Sequence, residues 1–185
     1  MKAPRVLALV GLRCSGKSSL GRLWAERTGA PFADLDDLLV ELADEASAGE
    51  LLAAVGEAEF RRRETHALAE YLDRDLPAVL ATGGGAILTP TNRAILREHC
   101  LVVWLDAPPS VLAARLLADE TLRPSLTGAD AAQELETLAE QREPLYREVA
   151  DLRLDATLEI DASADELALR VERQADGGLV LRSGA

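Results

Sequence analysis

One short segment near the N-terminus has the residue types and spacing that bind the phosphates of a nucleotide. Residues 11–18 read Gly-Leu-Arg-Cys-Ser-Gly-Lys-Ser, which fits the pattern G-x-x-x-x-G-K-[ST]. In such a loop the backbone N–H groups surround the phosphates, and the glycines let the backbone come close to them. Lys17 would hold the β- and γ-phosphates, and the Ser18 hydroxyl would bind Mg²⁺. The segment predicts a site for a nucleoside triphosphate, and the alternative is a glycine-rich turn without a ligand.

A pair of carboxylates follows the next apolar run. Asp34 and Asp36 lie two residues apart in a predicted short strand, residues 31–36, so we expect both side chains to point the same way. Two carboxylates at the carboxyl end of a strand suit a metal ion and a hydroxylated acceptor. They are equally compatible with solvated acids at a strand–helix junction, where Asp36 or Asp37 would cap the next helix. The residues alone leave both interpretations open.

These motifs need a scaffold, and alternating apolar runs predict one. A wholly apolar run such as residues 6–10 is typical of a strand in the middle of a parallel sheet. Strand and helix alternate five times, which predicts an α/β fold: a five-stranded parallel sheet with helices on both faces. The predicted strands are residues 6–10, 31–36, 77–81, 101–105 and a last one within 152–160. Towards the C-terminus, the pattern predicts a helix over 131–146 with a break near Pro144 and a closing helix over 164–174.

Length and composition bound the class of protein. A chain of 185 residues buries roughly 70% of its surface on folding, which suffices for one core. We therefore expect one domain over residues 1–175, with an exposed loop at about 119–130 and a disordered tail at 176–185. The formal net charge of −12 opposes binding to nucleic acid or to an anionic membrane. The two cysteines cannot build a disulfide framework, and we expect neither a signal peptide nor a membrane span, which favours the cytoplasm.

In their order along the chain, the motifs resemble those of the shikimate kinase family. After the phosphate loop, the resemblance is carried by residues 32–36 (Phe-Ala-Asp-Leu-Asp), 56–61 (Gly-Glu-Ala-Glu-Phe-Arg), 83–85 (Gly-Gly-Gly), 121–124 (Thr-Leu-Arg-Pro) and 142–146 (Arg-Glu-Pro-Leu-Tyr). The resemblance implies a P-loop kinase fold of the nucleoside-monophosphate-kinase type with a mobile lid. It also implies transfer of the γ-phosphoryl group of MgATP to the 3-hydroxyl of shikimate, in aromatic amino acid (chorismate) biosynthesis, by a monomer acting on a small molecule.

The resemblance implies roles for residues on the nucleotide side. Arg115 is implied to stack on adenine; the second adenine contact is not assigned, and residues 161–163 are the candidate loop for it. Arg123 lies in the lid, residues 119–130, and is implied to close over ATP and stabilise the transferring phosphoryl group. Asp34 is implied to act with Ser18 on the metal side. The implied nucleotide contacts are Cys14, Ser15, Gly16, Lys17, Ser18, Ser19, Arg115 and Arg123.

The resemblance implies a second set of roles on the acceptor side. Asp36 is implied to hold the shikimate hydroxyls and accept the proton, and Arg61 and Arg142 to clamp the carboxylate. A planar carboxylate favours bidentate arginine. Gly84 is implied as a backbone donor beside the ring, and Glu64, three residues from Arg61 on one helical face, could hold its guanidinium. The implied substrate contacts are Asp36, Arg61, Gly83, Gly84, Gly85 and Arg142, and the implied catalytic residues are Lys17, Asp36 and Arg123.

Two other functions remain compatible with these residues. One is a domain that binds a small molecule without transferring phosphate, as in parts of larger regulators; the presence of both Asp34 and Asp36 argues against it. The other is a kinase of a different metabolite, such as gluconate or a nucleoside monophosphate. The paired arginines with Asp36 favour a hydroxylated carboxylic acid, and do not by themselves identify shikimate.

Overall fold

The apolar runs of the sequence form a parallel sheet in the computed structural model of the protein, which describes residues 3–43, 47–74, 76, 78–118 and 131–182. The strands of this sheet are β1 (Val6–Val10), β2 (Phe32–Asp34), β3 (Ala78–Ala81), β4 (Cys100–Asp106) and β5 (Leu152–Asp155). Their spatial order is β2-β3-β1-β4-β5, and every pairing between them is parallel. The predicted five-stranded α/β fold is therefore confirmed.

The central strand β1 fixes where a ligand crevice can form. Leu7 lies opposite Val79 in β3 and opposite Leu101 in β4, so the backbone of β1 is paired on both sides. All of its residues are buried, as expected for a strand covered on both faces. The chain passes from β1 to β2 and β3 on one side and then crosses to β4 and β5 on the other. In open parallel sheets, ligands bind outside the carboxyl ends of the strands at such a reversal of order.

Eight helices connect the strands within the described residues. They are α1 (Lys17–Thr28), α2 (Leu35–Ala43), α3 (Ala48–Val55), α4 (Glu57–Leu72), α5 (Pro90–His99), α6 (Pro109–Ala118), α7 (Ala131–Val149) and α8 (Ile160–Arg170). A 3₁₀ turn, Ala86–Leu88, precedes α5. Helix α1 packs against α8, whereas α7 packs against α5, α6 and β4. Over the residues described, each helix is too short or too polar to span a lipid bilayer.

Helix α7 differs from its prediction because Pro144 does not break it. Pro144 lies inside the continuous helix, which extends to Val149. A proline removes one backbone donor and disfavours the preceding turn. Beyond it, Tyr146 and Val149 are buried, and the packing of these side chains stabilises the last turn. The predicted break is wrong.

The C-terminal end is more ordered than predicted. Helix α8 starts at Ile160, earlier than predicted, and gives way to strand β6 (Val171–Arg173) where the sequence predicts helix. Strand β6 pairs antiparallel with β7 (Leu179–Leu181). Leu179 is buried, and its N–H donates to the carbonyl of Pro4 at 2.7 Å. The predicted disordered tail is wrong for residues 179–181, because this apolar segment packs against the chain before β1.

One predicted feature, the lid, lies outside the described residues. The predicted lid at 119–130, with Arg123, falls between α6, which ends at Ala118, and α7, which begins at Ala131. The lid and the role of Arg123 therefore stay predictions.

Candidate active site

The phosphate loop is the turn by which β1 passes into α1. Gly11 has a φ of 150°, and a Cβ at this position would lie 2.6 Å from the carbonyl oxygen of Leu105. Gly16 has a φ of 90° and precedes the first residue of α1. Both backbone conformations favour glycine. Helix α1 directs the positive end of its dipole at this turn, where an anionic phosphate is stabilised.

Lys17, the first residue of α1, lies between the phosphate loop and the acidic pair. Its Nζ donates to the carbonyl of Leu12 at 2.8 Å and to the hydroxyl of Ser15 at 3.4 Å. Burial lowers the pKa of Lys17 to about 8, while the charges of Asp36 and Asp34 act in the opposite direction. The ammonium group is therefore mostly protonated at neutral pH and suited to holding phosphate.

Ser18 and Asp34 bring a hydroxyl and a carboxylate together at the start of α1. Ser18 Oγ donates to Asp34 Oδ2 at 2.6 Å, and Asp34 Oδ1 accepts the N–H of Asp36 at 3.1 Å. Asp34 ends β2, and Asp36 lies in the first turn of α2, so the prediction that both lie on one strand is wrong. The physical reason is that the Asp34 carboxylate caps α2 and lets the helix start directly after it.

Asp36 is half-buried and lies against the triple-glycine loop. Burial raises the pKa of Asp36, and the charge of Asp34 raises it further, whereas the charges of Lys17 and Arg61 lower it. A Cβ at Gly83 would lie 2.7 Å from Asp36 Oδ1. Asp36 is thus within electrostatic reach of both the nucleotide-side lysine and the acceptor-side arginine.

Arg61 is held by a buried carboxylate on its own helix. Its Nη1 donates to both oxygens of Glu64 at 3.1 and 3.0 Å, the contact that the three-residue spacing predicts. The Glu64 side chain is 1% exposed and also accepts from Asn92 Nδ2 at 3.4 Å. Burial raises the pKa of Glu64, and the charge of Arg61 opposes that effect. A Cβ at Gly85 would lie 2.5 Å from Arg61 Nη2, so the guanidinium lies directly against the glycine loop.

Arg142 reaches the same glycine loop from α7. Its Nη1 donates to the carbonyl of Gly84 at 2.9 Å, and the Tyr146 hydroxyl donates to the same oxygen at 2.9 Å. The resemblance implies the N–H of Gly84 as a donor, and the structure shows its carbonyl engaged as an acceptor. Tyr146 is absent from the predicted site residues. Its signal in the sequence is the four-residue spacing from Arg142, which places both side chains on one helical face.

An open cavity of about 490 Å³ lies over the phosphate loop. Its wall is formed by Cys14, Gly16, Lys17, Ser18, Ser19, Arg115, Leu158, Glu159 and Ile160. Arg115 Nη1 donates to the carbonyl of Cys14 at 3.4 Å, so its guanidinium lies beside the loop on the nucleotide side. Ser15 is buried behind the loop, where it contacts Lys17.

The far wall of this cavity lies just before the candidate loop for the second adenine contact. The candidate loop for a second adenine contact, residues 161–163, lies in the first turn of α8, and residues 158–160 line the cavity. After β5 the chain turns at once, because Asp155 Oδ1 accepts the N–H of Thr157 at 2.8 Å and its hydroxyl at 2.6 Å. In the sequence, the feature that could have indicated this cavity wall is Leu158, an apolar residue within a polar turn.

The structure brings the described nucleotide-side and acceptor-side residues to one crevice at the carboxyl edge of the sheet. Burial acts most strongly on both groups, lowering the pKa of Lys17 and raising that of Asp36; smaller effects cross the crevice, because the charge of Arg142 also lowers the pKa of Lys17 and the charge of Arg61 opposes the rise at Asp36. Arg123 lies outside the described residues. The lysine at the cavity over the phosphate loop can bind the phosphates of a nucleotide. The Asp36 carboxylate and the guanidinium groups of Arg61 and Arg142 can bind an anionic, hydroxylated acceptor beside it.

Sequence comparisons agree with this geometry. The family model for shikimate kinase matches residues 13–172. A shikimate kinase from Rhodopirellula baltica is 41% identical over 179 residues, which cover 95% of this chain and 93% of that protein. A shikimate kinase from Symbiobacterium thermophilum is 44% identical over 153 residues, which cover 80% of this chain and 84% of that protein.

Solved structures agree as well. The structure of a shikimate kinase from Acinetobacter baumannii in complex with shikimate has a TM-score of 0.81 at 34% identity, and the match covers 91% of this chain and 93% of that one. The phosphate loop, the parallel sheet and the matches in sequence and structure point to one conclusion. The chain belongs to the shikimate kinase family, the kinases that phosphorylate shikimate with ATP.

Proposed function

We propose that the chain transfers the γ-phosphoryl group of ATP to the 3-hydroxyl of shikimate, with the phosphates over residues 14–19 and shikimate against the glycine loop, residues 83–85. One observation carries this proposal. The three consecutive glycines contact Asp36, Arg142 and Arg61 in turn. Every charged group proposed for the acceptor therefore borders one short loop.

The same loop borders the nucleotide side. A Cβ at Gly84 would lie 3.4 Å from the backbone nitrogen of Arg13 and 3.5 Å from the carbonyl oxygen of Gly11. The glycine loop and the phosphate loop therefore approach without a side chain between them. This close approach supports a geometry in which the acceptor hydroxyl and the γ-phosphate meet, which is the main requirement for phosphoryl transfer.

The acceptor groups suit the two ends of shikimate. Arg61 and Arg142 present planar guanidinium groups, which favour a carboxylate, and Asp36 accepts hydrogen bonds from the hydroxyls. Burial raises the pKa of Asp36, so its carboxylate is a stronger proton acceptor than an ordinary aspartate. In our proposal Asp36 orients the 3-hydroxyl and takes its proton, and Lys17 stabilises charge on the transferring group.

A magnesium ion fits the contact between Ser18 and Asp34. Their oxygens lie 2.6 Å apart beside the phosphate cavity. Mg²⁺ prefers oxygen ligands and is usually held by one or two carboxylates together with substrate phosphates and waters. We assign Ser18 and Asp34 to this ion, which neutralises phosphate charge when bound.

The remaining roles concern enclosure and environment. We propose that Arg115 and residues 158–160 hold the adenine, and that residues 119–130 close as a lid that brings Arg123 to the phosphates. The net charge of −12 supports an enzyme that binds neither nucleic acid nor an anionic membrane. We place it in the cytoplasm as a monomer of one domain.

An assay of ADP release tests the choice of acceptor. Shikimate, quinate, gluconate and nucleoside monophosphates are compared as acceptors with MgATP, and we expect shikimate to give the highest kcat/KM. ADP release with gluconate or a nucleoside monophosphate, and none with shikimate, would replace the proposed acceptor. Shikimate binding without ADP release, measured by calorimetry, would indicate a sensing domain.

A further inference from the structure

We propose that Tyr146 is a positioning residue whose hydroxyl fixes the carbonyl of Gly84 and, with it, the Arg142 guanidinium that faces the shikimate carboxylate. This inference rests on the acceptor site proposed above. Arg142 and Tyr146 lie four residues apart on α7 and donate to one carbonyl oxygen, each at 2.9 Å. A carbonyl oxygen has two lone pairs, so the two donors complete its hydrogen bonding.

The ring of Tyr146 is held in place by packing. The residue is 2% exposed, and its ring stacks on Trp104 of β4 with the centroids 5.7 Å apart and the planes at 16°. On β5, the Arg153 guanidinium lies over the Trp104 ring at 5.0 Å and pairs with Asp106. The ring cannot turn without breaking this packing, so the hydroxyl keeps one direction, towards the glycine loop.

The hydroxyl also stays a donor under assay conditions. Burial raises the pKa of Tyr146 to about 12, although the charge of Arg142 and its hydrogen bond act in the opposite direction. A neutral phenol donates a hydrogen bond, whereas a phenolate could only accept one. At neutral and mildly alkaline pH, the Tyr146 hydroxyl therefore stays protonated and donates to the Gly84 carbonyl.

A shift of Gly84 would reach the acceptor groups on both sides. A Cβ at Gly83 would lie 2.7 Å from Asp36 Oδ1, and a Cβ at Gly85 would lie 2.5 Å from Arg61 Nη2. The loop is packed against both side chains with no room for a methyl group. Holding its central carbonyl therefore sets the spacing of the charged groups that bind the acceptor.

The variant Tyr146→Phe removes the hydroxyl and keeps the ring with its stack. We expect the KM for shikimate to rise about 3- to 10-fold, because one hydrogen bond is lost while Arg142 still donates. The KM for ATP and the Tm should stay near the parent values. The matched control is Tyr71→Phe, which removes the hydroxyl of the other tyrosine, near the C-terminal end of α4, and should be silent. Equal rises in both KM values, or no rise in either, would overturn the proposal.

A double-mutant cycle distinguishes positioning from a general structural role. If Tyr146 acts through Arg142, Tyr146→Phe should change the shikimate KM much less in an Arg142→Lys background, and additive effects would overturn the proposal. Tyr146→Phe should weaken the binding of a shikimate analogue without the carboxylate less than the binding of shikimate; an equal loss for both ligands would count against a route through Arg142.

The single variant Arg142→Lys separates this inference from the proposed function. If Arg142→Lys leaves the shikimate KM unchanged, the proposed carboxylate clamp is wrong and this inference falls with it. If Arg142→Lys raises that KM while Tyr146→Phe does not, the proposed carboxylate clamp is supported and only the role of Tyr146 is overturned.

Discussion

The phosphate loop and the acceptor site are built in opposite ways, although they share one crevice. The phosphate loop is one continuous segment, residues 11–18, which joins β1 to the first turn of α1. Its shape depends on local glycines and on the start of one helix. The acceptor site takes its side chains from α2, α4 and α7, and these meet at residues 83–85.

This difference determines how a substitution acts in each region. In our proposal a side chain of the phosphate loop contacts the nucleotide directly, so its loss should affect one ligand and little else. In the acceptor site, Asp36, Arg61 and Arg142 each border the glycine loop, so a change in one element can move the others.

Removing the lysine of the phosphate loop should have the largest effect. Lys17→Ala should lower kcat/KM by about 1,000-fold or more, because a charged donor to the transferring phosphates is lost at the reacting centre. ADP release measures the loss, and calorimetry should show shikimate binding without nucleotide largely preserved.

Arg22→Ala is the control on the same helix, because the Arg22 side chain is 60% exposed and lies 3.8 Å from its acidic partner, Asp37. This variant should retain the parent activity. Near-parent activity of Lys17→Ala would mean that the nucleotide site is elsewhere.

Asp36→Asn should have the next largest effect, confined to the acceptor. Loss of the proposed proton acceptor should lower kcat by about 100-fold or more, while the Kd for ATP stays near the parent value. Calorimetry with each ligand checks this separation. Loss of ATP affinity with preserved shikimate affinity would move Asp36 to the metal side.

The same variant should be as stable as the parent or more stable at neutral pH. Burial raises the pKa of Asp36 in the folded protein. A raised pKa means that the ionised carboxylate destabilises the fold above that pKa, and that the destabilisation disappears as the pH falls to the pKa of the unfolded chain. The Tm at pH 7 checks the sign. For the parent enzyme, kcat/KM for shikimate should fall on acidification at a pH above the ordinary pKa of aspartate.

Prediction from the sequence was most successful where a pattern of residues determines the structure directly. The apolar runs that alternate with helical segments were enough to predict the parallel sheet, and the residue types and spacing of 11–18 were enough to predict the phosphate loop. The β2–α2 junction was mispredicted because the Asp34 carboxylate caps the helix, which strand periodicity does not reveal. Pro144 was mispredicted as a helix break because the burial of the following turn outweighs the lost hydrogen bond.

The acceptor site was less accessible to sequence reasoning, because its contacts join distant segments. Three arginines in a row, residues 61–63, look equivalent in the sequence. The family resemblance singled out Arg61, and the fold gives the physical reason: the Arg61 side chain is 22% exposed and paired with a buried carboxylate, whereas the Arg62 side chain is 70% exposed. Tyr146 was missed for the same reason, since its partner is the carbonyl of Gly84 on a loop far away in the sequence.

These neighbouring arginines provide the third test. Arg61→Lys keeps the charge and loses the planar fork, so the Kd for shikimate should rise about 10- to 150-fold with the Kd for ATP unchanged. Arg62→Lys is the matched control, because Arg62 pairs with Glu59 on the outer face of α4 and should be silent. A sensitive Arg62 and a silent Arg61 would show that the assignment along this helix is wrong.

The smallest effects should come from the glycine loop, where the two regions meet. Gly83→Ala and Gly85→Ala place a methyl group against the side-chain ends of Asp36 and Arg61, at 2.7 and 2.5 Å. Side chains can swing away, so we expect the KM for shikimate to rise only about 3- to 10-fold, with the KM for ATP unchanged. Gly49→Ala in α3 is the control, because its Cβ would meet nothing closer than Ser47 Oγ at 3.9 Å.

Gly84→Ala should behave differently from the variants of its two neighbours. Its Cβ would face backbone atoms of the phosphate loop, the Arg13 nitrogen at 3.4 Å and the Gly11 oxygen at 3.5 Å. These are ordinary van der Waals distances, so the methyl group fits between the two loops and the KM of each substrate should change by less than about 2-fold. Steady-state kinetics with each substrate varied in turn would measure this. A clear rise in either KM for Gly84→Ala would contradict this fit, and a rise in the KM for ATP for Gly83→Ala would show that the effect of the glycine loop is not confined to shikimate.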